Sequence, residues 1–373
     1  MNPVISIFFK NVDQGDSIIL EWSDDGGAKE IGIIDCVNIH DHSPVADHLN
    51  NVKNSLRKEN GKAKVSFVVL SHPHTDHFSG MEGLLRYCKN NGIVIEKFLH
   101  SAHLDPDFIE EMLKTTTKGA KDLVGFPVRG VSAGNRLRRL YSILDKFDED
   151  PANGVVERVG VLDTDDLSIP LGKAAKLSLL APVFSKEIKQ YIRSYFSSNG
   201  DNGLFIKNPN RPEANLLSTV FILDCQGLRV FLCSDATIHF FRRMLNSDDR
   251  LFEDLRISQL PHHGSIESFQ LDFWEHKVHS KGIECVISAG EKYGHPSFEV
   301  VSYFMRSNRV HCTNYVNGYR RYHEQSDIDL VLSELDVLNT PAGPDYRSRC
   351  INIVAEIDDD GSYRILDEPT AIP

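Results

Sequence analysis

The stretch KVSFVVLSHPHTDHFSGMEGLL, residues 64–85, decides how the chain is read. Lys64–Leu70 is an apolar run of strand length, rich in β-branched and aromatic side chains. It passes directly into Ser71-His-Pro-His-Thr-Asp-His77, and a helix is expected from about Gly80 to Lys89. His72, His74, Asp76 and His77 are therefore four metal-ligating side chains within six positions, all at the end of a buried strand. Alternate residues of an extended segment point the same way, so His72 and His74 can grip one cation. Asp76 and His77, in the turn that opens the helix, can reach a second cation. A single His at a strand end is ordinarily a solvated residue; four ligand types together are not explained that way.

The same pattern recurs outward along the chain. A strand at Leu228–Leu232 ends in Cys233-Ser-Asp235. Ile257–Leu260 leads into Pro261-His-His-Gly-Ser265, and Glu284–Ser288 into Gly290 and then Tyr293-Gly-His-Pro296. Further strands are expected at Val4–Phe9, Ser17–Trp22, Ile31–Asp35 and Asn215–Leu223, with a hairpin signal at Asp24–Gly27. Helical spacing runs through Val45, Leu49, Val52 and Leu56, and again near Phe298–Arg306. The strands Ile351–Ile357 and Tyr363–Ile365 close the chain. Asp235 can bridge two cations, and imidazole with carboxylate suits Zn²⁺, Mn²⁺ or Fe²⁺. Two such ions ~3.5–4 Å apart share a hydroxide, bring its pKa near neutrality and clamp the oxygens of the group attacked.

Composition sets the boundaries. The 373 residues carry 41 Lys+Arg against 53 Asp+Glu, a net charge of −12, so an overall basic footprint for nucleic acid is absent. One segment departs from this. Between Leu113 and Lys146 stand Lys114, Lys118, Lys121, Arg129, Arg136, Arg138, Arg139 and Lys146 against only Asp122 and Asp145, a local +6. Residues 105–213 are read as a basic insertion with helical pieces, and 310–373 as a C-terminal extension, of a single domain over 1–373. No apolar run reaches the ~18–20 residues of a membrane span, and Met1–Lys10 reads as a strand, not a signal peptide; no membrane association and a cytoplasmic location are expected. The seven cysteines include no C-x-x-C pair and are read as buried reduced thiols.

The His72–His77 motif resembles the signature of the metallo-β-lactamase superfamily. Closer still is the metallo-β-lactamase-like domain of the ComEC type, from DNA-uptake competence proteins. That group's Gly-Gln-Gly-Asp-Ser motif is matched by Asp13-Gln-Gly-Asp-Ser17, and its early strand-closing aspartate by Asp35. Its Asn-x-x-Ser segment is matched by Asn215-Leu-Leu-Ser218, its bridging aspartate by Asp235, and its two later blocks by Pro261–Ser265 and Gly294–Pro296. The matches keep family order and cover residues 1–100 and 215–310. Two departures stand out. His74 has the general superfamily form where the ComEC type often has Asp. The third His usual on the first cation is missing near Asn215, which leaves His72, His74, Asp235 and either Asn215 or water, an oxygen-richer set that suits Mn²⁺. ComEC itself spans a membrane, so this chain is expected to be a soluble, stand-alone relative.

The resemblance implies an αββα sandwich with two divalent ions, Zn or Mn, held by His72, His74, Asp76, His77, Asp235, His262 and His263. One of His262 and His263 is a ligand to the second ion; the other stands behind the metal or faces substrate. Asp16 and Asp35 orient a ligand His or a loop, or touch the metal. His295 donates a proton to the leaving group, binds a phosphate oxygen, or holds its turn. Ser265 binds substrate or caps the next helix, and capping is the better fit. His100 and His103 are rim positions. The expected chemistry is hydrolysis by a metal-bridging hydroxide, on a phosphodiester of DNA or RNA steered by Arg136, Arg138 and Arg139. The alternatives are a small phosphodiester (phosphorylcholine or cyclic-nucleotide type), a carboxylic ester or lactone, and a binding module that kept the fold.

Overall fold

Alternating side chains build the centre of the molecule in the computed structural model, which describes residues 3–23, 27–39, 42–100, 140, 144, 154–161, 167–182, 214–247, 249–279, 281–288, 290, 295–313 and 351–369. In β1 (Ile5–Phe9) and β2 (Ile18–Ser23), Ile5, Ile7, Phe9, Ile18, Leu20 and Trp22 turn to one face, and Phe8 and Ile19 to the other. β3 (Lys29–Ile34) pairs antiparallel with β2. After α1 (Pro44–Val52), whose first turn is capped by the Ser43 hydroxyl, β4 (Lys58–Glu59) and β5 (Lys62–Leu70) form a short hairpin. β5 lies parallel to β3. The one-turn α2 (Thr75–Phe78) and α3 (Met81–Asn90) follow, and β6 (Ile93–His100) and β7 (Val155–Gly160) extend the sheet in parallel.

The chain then builds a second sheet from β8 (Ser168–Leu171), β9 (Ala175–Ala181), β10 (Val220–Cys225) and β11 (Leu228–Leu232), all antiparallel. β12 (Leu255–Gln259), β13 (Glu284–Ile287) and β14 (Arg309–Cys312) continue it in parallel, with α4 (Ile238–Met244) and α5 (Phe298–Met305) as connections. β15 (Ile351–Ile357) and β16 (Tyr363–Pro369) return to the first sheet, where β15 pairs antiparallel with β1.

Three apolar layers hold this together. Phe67, Val69 and the inward residues of β1 and β2 meet Leu177, Phe221, Leu223, Val230 and Ile257 between the sheets. α1 and α3 cover the outside of the first sheet through Val45, Leu49, Met81, Leu84 and Leu85. Phe240, Phe241, Phe273, Trp274, Val301 and Phe304 cover the outside of the second. The order is helix, sheet, sheet, helix, as expected.

Three expectations change. Parts of 105–213 belong to the framework: β7 widens the first sheet, β8 and β9 the second, and the helical Leu140 and Leu144 sit buried in the outer core. Likewise β14, β15 and β16 place much of the described C-terminal region inside the two sheets. Asn215 lies not on a strand but in a 3-10 turn, Ala214–Leu217, and the strand begins at Val220. Among the described residues, six cysteines are buried and free, and no helix is long and apolar enough to cross a membrane.

Gly32 shows how tightly the central layer is filled. A Cβ at this position would lie 2.0 Å from the Phe67 ring on the neighbouring strand. Gly32→Ala is therefore expected to lower unfolding free energy by about 1–3 kcal/mol in urea titrations. Adding Phe67→Leu should recover part of that loss.

Candidate metal centre

The strand ends converge at one edge of the sandwich. β5 runs out through Ser71, and His74 at the start of α2 is still extended (φ −86°, ψ 146°), so His72 and His74 lie on the extended segment and Asp76 and His77 on the helical turn. β11 ends at Leu232, and beyond Cys233 Ser234, in a left-handed conformation (φ 45°), aims Asp235 at the same point. Beyond β12, His262 and His263 are both left-handed (φ 50° and 54°). Each such residue costs about 1–2 kcal/mol, strain of the kind that gathers where side chains must be aimed. Gly15 (φ 125°) braces the assembly: a Cβ there would lie 2.1 Å from the Asp76 carbonyl, which accepts a hydrogen bond from the Asp16 N–H at 3.1 Å.

Asp235 is the centre of the site, buried with four imidazoles around it. Its Oδ2 lies 3.6 Å from His72 Nε2 and 3.6 Å from His262 Nε2. Its Oδ1 lies 3.3 Å from His77 Nε2 and 3.5 Å from His263 Nε2. His263 Nε2 is also 3.7 Å from Asp76 Oδ2. Three sets of ligand atoms lie within 4.8 Å of one another: His72, His74 and Asp235, the first position; Asp76, His77 and His263, the second; and Asp16, His77 and Asp235, which overlaps the second. Ligands held tetrahedrally ~2.1 Å from one ion stand about 3.4 Å apart. The Nε2 atoms of His72, His77 and His263 and the Oδ1 of Asp235 are buried and without a hydrogen-bond partner. Buried polar atoms are rarely left so. Orphaned donors and acceptors facing one another at this spacing fit divalent cations.

The far side of each of the four rings around Asp235 is anchored. His77 Nδ1 bonds Asp35 Oδ2 at 2.7 Å, and Asp35 accepts from the Ser71 N–H and hydroxyl at 2.8 and 2.5 Å. His72 Nδ1 pairs with the Ser71 hydroxyl (3.1 Å), His262 Nδ1 with the Ser268 hydroxyl (3.3 Å), and His263 Nδ1 donates to the Ser288 carbonyl (2.7 Å). With Nδ1 engaged, Nε2 is left for a metal. Burial drives the pKa of His72 well down, helped by His77 and His74. Burial also opposes charge on His77 and His263, but Asp235 with Asp35 raises the first well above its usual value, and Asp235 with Asp76 raises the second to about 9. For Asp235 burial is outweighed by His262, His77 and His263, which hold its carboxyl well below the usual range.

The remaining expected residues fall in distinct places. Asp35 braces His77, and Asp16 lies behind the second position, 3.9 Å from His77 Nδ1 and 4.0 Å from His263 Nδ1. His262 and His263 lie against opposite oxygens of Asp235, and Asn215 Nδ2 lies 3.5 Å from His262 Nε2. Ser265 caps the next turn by accepting from the Glu267 N–H. His295 lies beside His262, with ring centroids 5.4 Å apart and the rings tilted by 50°; burial, then His262 and His263, push its pKa down to about 4. His100, paired with Leu70 on the neighbouring strand, accepts from Arg158 and belongs to none of the ligand groups. His103, Arg136, Arg138 and Arg139 lie outside the described residues. The anchors Ser268, Ser288 and Gln259 were not anticipated; only Ser71, adjacent to the motif, carried a signal.

Residues 47–166 match the model of the metallo-beta-lactamase superfamily. The match takes in the His72–His77 motif, and the helix–sheet–sheet–helix order is the α/β sandwich of the metallo-β-lactamase fold. Two solved structures are similar at 11% identity. The long form RNase Z from yeast matches over 99% of this chain and 50% of its own, with a TM-score of 0.40, so this chain spans half the length of that protein. The metallo-beta-lactamase fold protein YhfI from Bacillus subtilis matches over 83% of this chain and 96% of its own, with a TM-score of 0.37. No curated protein matches the chain. Both structural likenesses are remote, and the chemistry has to be read from the residues above.

Because Asp235 offers one oxygen to each position, Asp235→Ala is expected to lose both ions, measured as metal content after purification. Full content in that variant would end the dinuclear reading. Proton linkage gives a second expectation. A cation must displace the proton on His263, so loading at pH 7 should release protons, and affinity should climb from pH 6 to 9 in calorimetry. In the metal-free protein the sign reverses. The raised pKa of His263, about 9, contributes stability that is complete below ~6.5 and is lost as pH rises through 9.

Proposed function

We propose that the protein is a dinuclear, metal-dependent phosphodiesterase whose substrate is nucleic acid, with DNA before RNA. The observation that carries this reading is the buried Asp235 carboxylate, with Oδ2 facing His72 and His262, Oδ1 facing His77 and His263, and three of those four Nε2 atoms without a hydrogen-bond partner. Cations held there would bring the pKa of water near neutrality and take up charge on the group attacked. The protein's own contribution is placement. Asp235 sets the spacing, Asp35 and Ser71 hold His77 and His72 in one orientation, and the left-handed turn at His262–His263 delivers an imidazole to each side.

Two details refine the sequence-based reading. His262, not Asn215, stands in the place of a further nitrogen ligand at the first position, and a nitrogen-rich set favours Zn²⁺ over Mn²⁺. His295, with its pKa near 4, is neutral at pH 7, and bound cations would lower that value further. Its role is then a hydrogen bond to a substrate oxygen, not proton donation to the leaving group.

The polymer preference rests on the local +6 segment of a −12 chain and on the ComEC-type motifs. We read the protein as soluble and cytoplasmic, with residues 1–373 acting as one catalytic unit. Hydrolysis of DNA and RNA, single- and double-stranded, with Zn²⁺, Mn²⁺ and Mg²⁺ supplied separately, tests the class. The triple variant Arg136→Ala/Arg138→Ala/Arg139→Ala tests the polymer. It should keep its metals and its turnover of a small chromogenic phosphodiester. Its activity on nucleic acid should fall, and the salt slope of binding should drop by roughly one unit per lost phosphate contact. Parent-like behaviour on every substrate would favour a small phosphodiester, carboxylic ester or lactone instead.

A further inference from the structure

Gln259, the last residue of β12, is 2% exposed and makes hydrogen bonds to two other segments. Its Oε1 accepts from the N–H groups of Cys233 and Ser234, both at 3.0 Å, the backbone that delivers Asp235. Its Nε2 donates to Asp16 Oδ2 at 2.8 Å. The amide has no freedom to flip. With two N–H donors on one side, the oxygen must face them, and the NH₂ group must face Asp16, whose carboxylate is the acceptor it requires. Asp16 stands behind the second position, within 4.0 Å of Nδ1 of both His77 and His263. It is itself tied through its N–H to the carbonyl of Asp76. One side chain thus joins the strand that leads to His262 and His263, the loop that carries Asp235, and the hairpin that supports Asp76.

We propose that Gln259 is a positioning residue for the second cation position, acting through Asp16. It touches none of the facing Nε2 atoms. Its action is to fix a carboxylate behind His77 and His263 and to hold that carboxylate in register with Asp235. Among the described residues, the first position has hydroxyls in this place: Ser71 behind His72 and Ser268 behind His262. The two positions should therefore depend on Gln259 unequally. This inference rests on the metal reading of the site, and the experiment separates the two.

Single-position backgrounds isolate each cation: His72→Ala leaves the second position, and His263→Ala leaves the first. Zn²⁺ affinity is measured in each with a competing chelator, before and after Gln259→Met, which keeps the volume and removes both polar contacts. The expected result is a loss of at least tenfold at the second position and less than threefold at the first. Gln259→Glu keeps the acceptor for the two N–H groups but sets a carboxylate against Asp16, and should lose at least as much. Asp16→Asn, which removes the carboxylate itself, should weaken the second position to a similar degree, and the double variant Gln259→Met/Asp16→Asn should lose no more than the larger single loss, because the two residues act through one contact; a residue needed only for packing would give additive losses. Urea unfolding of each metal-free variant checks the fold. Equal losses at both positions, no loss with Gln259→Met, or additive losses in the double variant would each overturn the proposal. A parent protein that takes up no Zn²⁺ would overturn the metal reading itself, and this inference with it.

Discussion

The centre depends on one buried carboxylate shared among four imidazoles. Asp235 is 1% exposed, and desolvating a carboxylate is costly unless opposite charge or good donors compensate. Here the compensation comes from two directions, because each oxygen faces a different pair of Nε2 atoms. That arrangement requires the rings to be fixed from behind, which explains the serines and Asp35 on their Nδ1 atoms. It also requires two sheets to stop at a common edge, so the three apolar layers position the chemistry as much as they stabilise the fold.

Much of this was readable from local pattern. His72–His77 announces itself because ligands of one strand end are neighbours in sequence, and the alternation of Ile5, Ile7 and Phe9 marks an inward face without help from any other segment. What was hidden is what long-range geometry decides. The division of labour between His262 and His263 follows from two consecutive left-handed residues, which no propensity forecasts for a His pair. The anchor of His263 is a main-chain carbonyl, at Ser288 of a different strand end, and a carbonyl has no residue signature. β8 and β9 were passed over because Ser168–Leu171 is short and holds Pro170, and because Lys173 and Lys176 sit beside the turn that joins them. Their apolar positions, Ile169, Leu171 and Leu177, declare themselves only once a second sheet is there to receive them.

Glycine marks where backbones must approach. Gly15 lies against the Asp76 carbonyl, Gly264 against Pro296, and Gly290 against the Asp13–Gln14 backbone. All three contacts surround the site, so the motif residues around Gly15 and Gly264 owe their pattern as much to clearance as to chemistry. The polar neighbours of the centre, Asp16, Asp35 and Gln259, repeat the lesson: none lies among the facing Nε2 atoms, and each sets the aim of something that does.

The ligands of the centre come from both sheets. His72, His74, Asp76 and His77 leave the first, while Asp235, His262 and His263 leave the second. Already the Ser234 hydroxyl donates to the Ser71 hydroxyl across this seam at 2.9 Å, and the Thr219 N–H to the Ser71 carbonyl at 3.1 Å. A cation bound here would therefore be a cross-link, a clasp between two slabs that joins ligands more than 150 residues apart along the chain. An ion that binds only the closed sandwich adds its binding energy to the cohesion of the slabs, about 4 kcal/mol at a thousandfold excess over its dissociation constant. Chelation would then do more than silence a reaction: it would unfasten one edge of the molecule.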